Sequence, residues 1–517
     1  MKSIPKNPIP TTAIAQNRVK AIALGTICLT LFMTNLNDTV MNVALPQIQI
    51  SLGSDVSGLQ WILNAYTLTA ASLMLPSGTL GDIYGRKGVF LTGLVIFTTA
   101  SLVCGFSPNL QILIVGRMLQ GVGAAALIPT SLAIITDTFP EPTEKTKAIG
   151  IWSAVSGIAL VLGPLLGGVL IDNLGWQSVF WLNLPLGAVA FWITLRFVRQ
   201  GKHRSRNIDL PGIVLSISLL GSVTYLLTEG NTTSERSWLA VAIFSLLAFL
   251  WVESRSRHPM LPLNVFQKPS FATVNLVHII VFFAFMSLIF IFSLFLQQVQ
   301  GYSATAAGMR FLPLNAAFVS ALLVSGWFAA RLGLRSTIAA GLTLASVATF
   351  SFIRIGVDTA YGAMWGGLVL SGLGAGITLA PLATVALNSV LPTQAGIASA
   401  LLNITTRLGG VLGIAIQGKI LSQQLSDRLA RSLSEWNLTA DLQERLTAAA
   451  LHGGTTVPRD LPVGISSAVW HQAFSQAFVS GLHATVVIAS VALLAGALLM
   501  LAFVPSSFKA KRDRAKE

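Results

Sequence analysis

Two charged residues stand inside long apolar stretches, where ionised side chains are rare. Asp38 is the only acid that lies well inside such a stretch, and Arg117 lies within another. An arginine at the centre of a membrane helix costs about 2.5 to 3.5 kcal/mol on insertion scales, so Arg117 implies a polar partner or a water-filled cavity. A carboxylate such as Asp38 can bind a proton and a cationic solute alternately, and this competition would couple their movements. We predict that Arg117 stabilises the charged form of Asp38. The alternative is a structural arginine that donates to backbone carbonyls.

Polar and aromatic residues that could surround this pair occur in several apolar stretches. Asn35, Asp38 and Asn42 are three and four residues apart, so they share one helix face. The other candidates for a substrate cavity are Asn64, Tyr66, Gln120, Trp152, Asn403 and Arg407, with Trp61, Phe282, Phe285 and Phe290. A broad apolar cavity with a few polar groups suits amphipathic or aromatic compounds. The aromatic side chains could instead face lipid or the core.

The elements that carry these residues are predicted to be membrane-spanning helices. Of the 517 residues, 53% are hydrophobic and only 10% are charged, which leaves too little polar surface for a water-soluble fold. About 20 apolar residues form a helix long enough to cross the bilayer. Fourteen such runs are predicted: 20–43, 57–80, 88–106, 109–136, 146–172, 177–198, 209–228, 237–254, 271–298, 305–330, 335–354, 361–388, 395–421 and 474–504. The predicted fold class is an all-α polytopic membrane protein.

Basic residues fix the expected orientation. They concentrate in the segment 1–19, in alternate loops and in the tail 505–517, and the positive-inside rule therefore places both termini in the cytoplasm. The expected location is the cell (inner) membrane. Because the net charge of +14 is spread over short loops, it indicates membrane topology and no nucleic-acid partner. Cys28 and Cys104 lie in apolar runs without a metal-binding spacing, and we predict no metal and no cofactor.

Glycine spacing reveals an internal repeat. Gly78, Gly85 and Gly93 match Gly326, Gly333 and Gly341, and Gly150, Gly163 and Gly167 match Gly396, Gly409 and Gly413. The matching glycines lie further apart in the chain than six helices alone would place them. This distance predicts a six-helix bundle at 20–198, a linker with two inserted helices at 199–270 and a second six-helix bundle at 271–504. The segment 422–473 is interpreted as an external solvated loop. The alternative is that its first part extends the preceding helix, because Leu425, Leu429 and Leu433 have helical spacing. Repeated bundles of this kind rock against each other in alternating-access transporters.

Specific motifs then identify a family resemblance. The stretch GTLGDIYGRK (78–87) resembles the signature between helices 2 and 3 of the major facilitator superfamily. The resemblance implies a conformational lock formed by Gly78, Asp82, Gly85, Arg86 and Lys87, to which we add Asp137. In the family the aspartate faces the start of the repeat-related helix, here residues 393–396. The implied fold is the major facilitator fold.

Two further motifs resemble that superfamily. In LIVGRMLQGVG (113–123), the resemblance implies that the membrane-embedded Arg117 takes part in proton coupling. The stretch GIALVLGPLLGG (157–168) resembles the signature that marks antiporters and is generally absent from importers. It implies export, with Gly157, Gly163, Pro164, Gly167 and Gly168 permitting close helix contact and a bend.

The fourteen-span drug:proton antiporter branch shares more of the sequence. Similar stretches are LNDTVMNVALP (36–46), WILNAY (61–66), GWQSVFWLNLPLG (175–187) and HPMLPLNVF (258–266). The resemblance implies a multidrug efflux transporter that exports drugs or toxic metabolites in exchange for protons. The branch usually has an aspartate where this chain has Asn37, and its acid stands one position later, about 100° further round the helix.

Several other functions remain open at this stage. The stretch GIAIQGKI (413–420) is close to an ATP-binding phosphate loop, but Ile420 replaces the required serine or threonine, so we predict no enzyme. A proton-coupled importer, and an exporter of one endogenous metabolite or lipid, are the alternatives. The predicted partners are a small-molecule substrate, protons and the lipid bilayer. The chain is expected to be a monomer, and a periplasmic adaptor is compatible with the pattern.

Overall fold

The computed structural model describes residues 13–198, 200, 209–229, 235–256, 263–391, 394–436, 438–453 and 466–505. This part of the chain is helical and contains no β-strand. The helices are α1 (Ala13–Leu52), α2 (Val56–Tyr84), α3 (Arg86–Gly105), α4 (Leu110–Thr138), α5 (Pro142–Leu174), α6 (Ser178–Phe197), α7 (Leu210–Glu229), α8 (Glu235–Arg255), α9 (Pro269–Val299), α10 (Ala304–Leu332), α11 (Leu334–Arg354), α12 (Tyr361–Asn388), α13 (Ala395–Ser434), α14 (Ala440–Gly453) and α15 (Ser467–Phe503).

Thirteen of these helices are long and apolar enough to span a membrane. The fourteenth long helix is α2, whose 29 residues include polar side chains such as Gln60, Asn64 and Asp82. Large apolar side chains such as Leu323, Phe244 and Trp192 are exposed on the outside of the bundle. In water such a surface would be unstable, whereas in a bilayer it contacts lipid tails. The predicted fold class is confirmed, and we call the side where α1 begins and α15 ends the terminal side, with the far side opposite.

The two halves of the molecule repeat the same packing. In the first half, α1 lies against α5 and α4 lies against α2 and α3; in the second, α9 lies against α13 and α12 lies against α10 and α11. Gly85 and Gly333, which match in the repeat, both have positive φ angles, of 93° and 84°. A Cβ atom on Gly93 would lie 3.0 Å from the Gly123 carbonyl oxygen, and one on Gly341 would lie 2.9 Å from that of Gly374. The glycine repeat therefore marks equivalent close helix contacts.

The inserted helices α7 and α8 pack on each other, and α7 also contacts α2 and α13. They therefore lie beside the two bundles and leave the interface between the bundles to α1, α2 and α5 on one side and α9, α10 and α13 on the other.

The segment 422–473 differs from the predicted solvated loop. Residues 422–434 continue α13, and α14 follows at the far side, whereas residue 437 and residues 454–465 lie outside the described part. Leu425, Leu429 and Leu433 are buried, and they pack in one cluster with Leu446 of α14. The four-residue spacing of these leucines produced a helix because their apolar face is covered by α14 and α15.

Candidate proton and substrate site

An ion pair joins the two bundles close to the middle of the molecule. Arg407 Nη1 of α13 lies 3.8 Å from Asp38 Oδ2 of α1, and the two side chains are 13% and 31% exposed. The ring of Tyr66, from α2, lies between two guanidinium groups, with its centroid 5.9 Å from Arg407 Cζ and 4.4 Å from Arg117 Cζ. One carboxylate and two permanent cations therefore meet around one aromatic ring.

Arg117 is 1% exposed and is held within the first bundle. Its Nε donates to the Ile62 carbonyl oxygen at 3.0 Å and its Nη1 donates to Gln120 Oε1 at 2.9 Å. Gln120 in turn donates to Ser101 Oγ at 2.8 Å. One of these bonds is to a backbone carbonyl, as expected for a structural arginine. The guanidinium is nevertheless within electrostatic reach of Asp38 and stacks on Tyr66, so it also contributes charge to the site.

Asn37 and Asp38 lie in different surroundings. The Asn37 side chain is 2% exposed, and neither of its amide atoms has a hydrogen-bond partner in the described part of the chain. Asp38 is partly exposed and faces Arg407. The acid displaced by one position thus lies beside a cation, while Asn37, at the position that usually carries the acid in that branch, is buried without a hydrogen-bond partner among the described residues.

Two polar atoms close to Asp38 have no hydrogen-bond partner among the described residues. They are Asn42 Oδ1, one helical turn along α1, and the Tyr66 hydroxyl, which approaches Asp38 without forming a strict hydrogen bond. Both amide atoms of Asn64, two residues before Tyr66, also lack a partner there. Buried polar groups without a protein partner usually bind water or a ligand. These atoms can bind water molecules beside the Asp38 carboxylate, or they can bind a solute that has hydrogen-bonding groups.

Other predicted cavity residues are placed in different ways. Asn35 donates to Ser156 Oγ at 2.8 Å, and the Trp152 indole donates to Ser131 Oγ at 3.1 Å, so both link helices of the first bundle. Asn403 is exposed and bonds only its own helix among the described residues.

Other candidates lie in the core or contact neighbouring helices. Gln120 is fully buried and orients Arg117, so it does not line a cavity here. Trp61 points to α7, where its indole donates to Glu229 Oε1 at 2.8 Å. Phe282, Phe285 and Phe290 are buried core residues. Sequence could not separate these cases, because an apolar helix has similar residues on its cavity, core and lipid faces.

The predicted lock residues are clustered at the terminal side. Arg86 lies 3.2 Å from Asp82 and 2.7 Å from Asp137, and it also donates to the Ala133 carbonyl oxygen. Lys87 donates to the Leu195 carbonyl oxygen at 2.8 Å, which ties α3 to α6. Gly85 has the positive φ angle that lets α2 turn directly into α3, whereas Gly78 makes no close contact. Of the residues 393–396 proposed to face Asp82, the side chains of Thr393, Ala395 and Gly396 lie outside the described part, and Gln394 Oε1 accepts from the Leu391 N–H.

The glycines of the α5 motif contact two different helices. Gly163 and Gly167 face Thr39 and Val40 of α1, and a Cβ atom on either would overlap those side chains. A Cβ atom on Gly168 would lie 2.5 Å from the Ala304 carbonyl oxygen of α10. Gly157 approaches Val319 at an ordinary distance, and Pro164 lies inside the helix opposite Gly308 of α10. The motif therefore brings α5 close to both α1 and α10.

The bundles are joined by further polar contacts from mid-depth to the far side. Ser293 donates to the Asn42 carbonyl oxygen at 2.6 Å, and Gln60 donates to the Ile414 carbonyl oxygen at 3.1 Å. The Asp172 carboxylate accepts from the backbone N–H groups of Ala304 and Thr305, at 3.1 and 2.8 Å. Sequence analysis missed Asp172, because no local signal links the end of α5 to the start of α10.

The stretch 413–420 lies inside the continuous helix α13. A phosphate-binding loop must expose consecutive backbone N–H groups between a strand and a helix, and a helix interior cannot do this.

Comparison with known proteins identifies the family. The family model of the Major Facilitator Superfamily matches residues 27–414. The chain belongs to this superfamily. It is therefore a multi-pass membrane transporter and not an enzyme, as the motifs predicted.

Named members of the superfamily resemble the chain over most of its length. The multidrug resistance protein Stp of Mycobacterium tuberculosis is 36% identical over 422 residues, which cover 80% of this chain and 78% of Stp. The methylenomycin A resistance protein of Streptomyces coelicolor is 32% identical and covers 81% of this chain and 86% of that protein. Both names describe drug resistance, which agrees with the predicted efflux branch.

A solved structure with the same fold is a bacterial homologue of the human lysosomal transporter Spinster, described as inward-facing and unoccupied. It superposes with a TM-score of 0.67 at 19% identity, covering 93% of this chain and 98% of that one. This likeness confirms the fold of the helices that surround the site.

Proposed function

We propose that this major facilitator protein exports small amphipathic or aromatic compounds in exchange for protons. The observation that carries the proposal is the cluster of Asp38, Tyr66, Arg117 and Arg407 at the interface of two repeated bundles. A titratable carboxylate at that interface can be exposed to either side as the bundles rock. The drug-resistance names of the relatives support an outward direction for the solute.

In the proposed cycle, Asp38 carries one proton inward and Arg117 stabilises its charged form after the proton leaves. Solute and proton compete for the site, so each is bound when the other is absent. One proton moving down one pH unit and 100 mV supplies about 1.4 plus 2.3 kcal/mol. This amount supports a roughly 500-fold gradient of a neutral solute.

We further propose that the terminal side is cytoplasmic, in the cell (inner) membrane. The basic residues Arg86, Lys87, Lys145 and Lys147 lie on that side, in agreement with the positive-inside rule. The bundles are then joined towards the external side by the contacts of Ser293, Gln60 and Asp172, which corresponds to a carrier closed to the outside. We also propose the division into bundles at 20–198 and 271–504 and a monomeric state, which is compatible with a periplasmic adaptor.

The proposal predicts that Arg117→Ala abolishes proton-coupled export while the protein still inserts. Removal of the guanidinium leaves the charged form of Asp38 with one cation instead of two and removes the bonds that Arg117 makes to Ile62 and Gln120. The measurement is solute uptake into everted membrane vesicles energised by a proton gradient, using a panel of aromatic and amphipathic compounds. Arg428→Ala, at an exposed arginine of α13, is the control and should export normally. Unchanged transport by Arg117→Ala would refute the role assigned to Arg117.

A further inference from the structure

Arg407 makes its charge interactions with the opposite bundle. It belongs to α13 of the second bundle, yet its guanidinium faces Asp38 and the ring of Tyr66, which both belong to the first. In the described part of the chain, the guanidinium donates no hydrogen bond to its own bundle. Arg117, by contrast, is anchored inside the first bundle by Ile62 and Gln120.

In the part of the chain that the structure describes, the other polar contacts between the bundles do not pair two charged side chains. Ser293, Gln60 and Asn315 donate to backbone carbonyls of the opposite bundle. Asp172 accepts from backbone N–H groups near the far side. Among the described residues, Asp38 and Arg407 form the pair in which two ionised side chains face each other across the interface. The charged or titratable groups that act on Asp38 are Arg407 from α13, Arg117 from α4 and Tyr66 from α2.

The length of this ion pair is informative. At 3.8 Å it exceeds the hydrogen-bond range, so charge attraction and not a hydrogen bond holds the two groups together. Separating two opposite charges in a medium of low dielectric constant is unfavourable, and protonation of the carboxylate removes the attraction. A proton or a polar group of a solute can therefore take the place of Arg407.

An exchanger must also avoid moving while its site is empty. If the empty carrier and the protonated carrier both reoriented, protons would cross the membrane without any exported solute. The empty, charged form of Asp38 is the one that attracts Arg407. The attraction between Asp38 and Arg407 is thus strongest in the empty carrier, which is the form that should not reorient.

We propose that Arg407 is a built-in counter-ion, which occupies Asp38 whenever neither a proton nor a solute is bound and so immobilises the empty carrier. This inference rests on the proposed function, because it takes Asp38 as the proton carrier. Protonation of Asp38, or binding of a solute to it, releases Arg407 and permits the bundles to rock.

The test measures proton leak without any solute, so the substrate need not be known. Purified protein is reconstituted into liposomes that contain the pH dye pyranine, with potassium and valinomycin to balance charge, and an acid jump is applied outside. Wild-type liposomes should stay tight. Arg407→Gln should leak protons about tenfold faster, which corresponds to about 1.4 kcal/mol less restraint on the empty carrier. Arg407→Lys keeps the charge and should restore tightness, and Arg428→Gln on the same helix should resemble the wild type.

A double variant distinguishes failure of this inference from failure of the proposed function. Asp38→Asn with Arg407→Gln should abolish the leak, because no proton carrier remains. Tight liposomes with Arg407→Gln, in protein that elutes as a single folded species, would overturn the role of Arg407 and leave the proton role of Asp38 intact. A leak that persists in the double variant would overturn both, since the proton would then use another group.

Discussion

At the scale of single residues, the position of the acid decides the chemistry. Position 37 is buried without a hydrogen-bond partner among the described residues, whereas position 38 faces Arg407 and has Arg117 within electrostatic reach. A carboxylate gains stability in its charged form from nearby cations and loses it through burial. The shift of one residue from the pattern of the resembling branch therefore keeps the acid beside two cations, which act against the cost of burying its charge.

This reading predicts that moving the acid back by one position does not restore transport. Asp38→Asn should abolish proton-driven export, and the double variant Asn37→Asp/Asp38→Asn should remain inactive, because position 37 is buried and its side chain has no hydrogen-bond partner among the described residues. Export is measured in everted vesicles, with membrane insertion checked by the amount of protein extracted. Export at the wild-type rate by the double variant would show that the two positions are interchangeable.

The sequence predicted part of this site. Asp38 and Arg117 were identified because a charge in an apolar helix is costly, and both belong to the cluster. Arg407 was expected as a cavity residue, but its pairing with Asp38 depends on how two helices 369 residues apart in the chain face each other. Gln120 and Trp61 bond neighbouring helices, which the sequence could not show, because a polar group in an apolar helix can bond another helix as easily as it can face a cavity.

At the scale of helices, the α5 motif acts through steric fit. Gly163 and Gly167 admit α1, and Gly168 admits the start of α10, where Asp172 also accepts from the backbone of Ala304 and Thr305. The sequence indicated close packing at these glycines, but not which partner each one contacts. The far-side contact between the bundles thus depends on small residues in α5 and on one acid at its end.

Gly168→Ala adds only one methyl group, but it should impair transport strongly. The added methyl group would lie 2.5 Å from the Ala304 carbonyl oxygen, and overpacking of this kind costs about 1 to 3 kcal/mol. We expect initial export rates about tenfold lower, because the strain opposes the arrangement in which α5 meets α10 in each cycle and 1.4 kcal/mol corresponds to a factor of ten. Gly150→Ala on the same helix, where a Cβ atom meets nothing within 4 Å, is the matched control. Equal rates for the two variants would contradict the steric role.

At the scale of the whole molecule, two repeated bundles enclose the site and two extra helices lie beside them. The repeat was predictable because glycines at equal spacing mark the same helix contacts in both halves, as Gly93 and Gly341 show. The number of long helices agrees with the prediction, but the predicted ranges are too short. The helices α1 and α13 each run for 40 residues and extend beyond the length that a bilayer requires. The polar composition of α14 favours a loop, whereas its packing against α13 and α1 explains why it is a helix.

The central claim is that a proton gradient drives solute outward through this molecule. Proteoliposomes of the purified protein, without ATP, measure this directly when a panel of aromatic and amphipathic compounds is tested with and without an imposed pH gradient. The gradient should drive accumulation of at least one compound against its concentration, a protonophore should abolish it, and Asp38→Asn should lack it. Accumulation that persists after the gradient is collapsed, or movement of the compound in the same direction as the protons, would contradict the account.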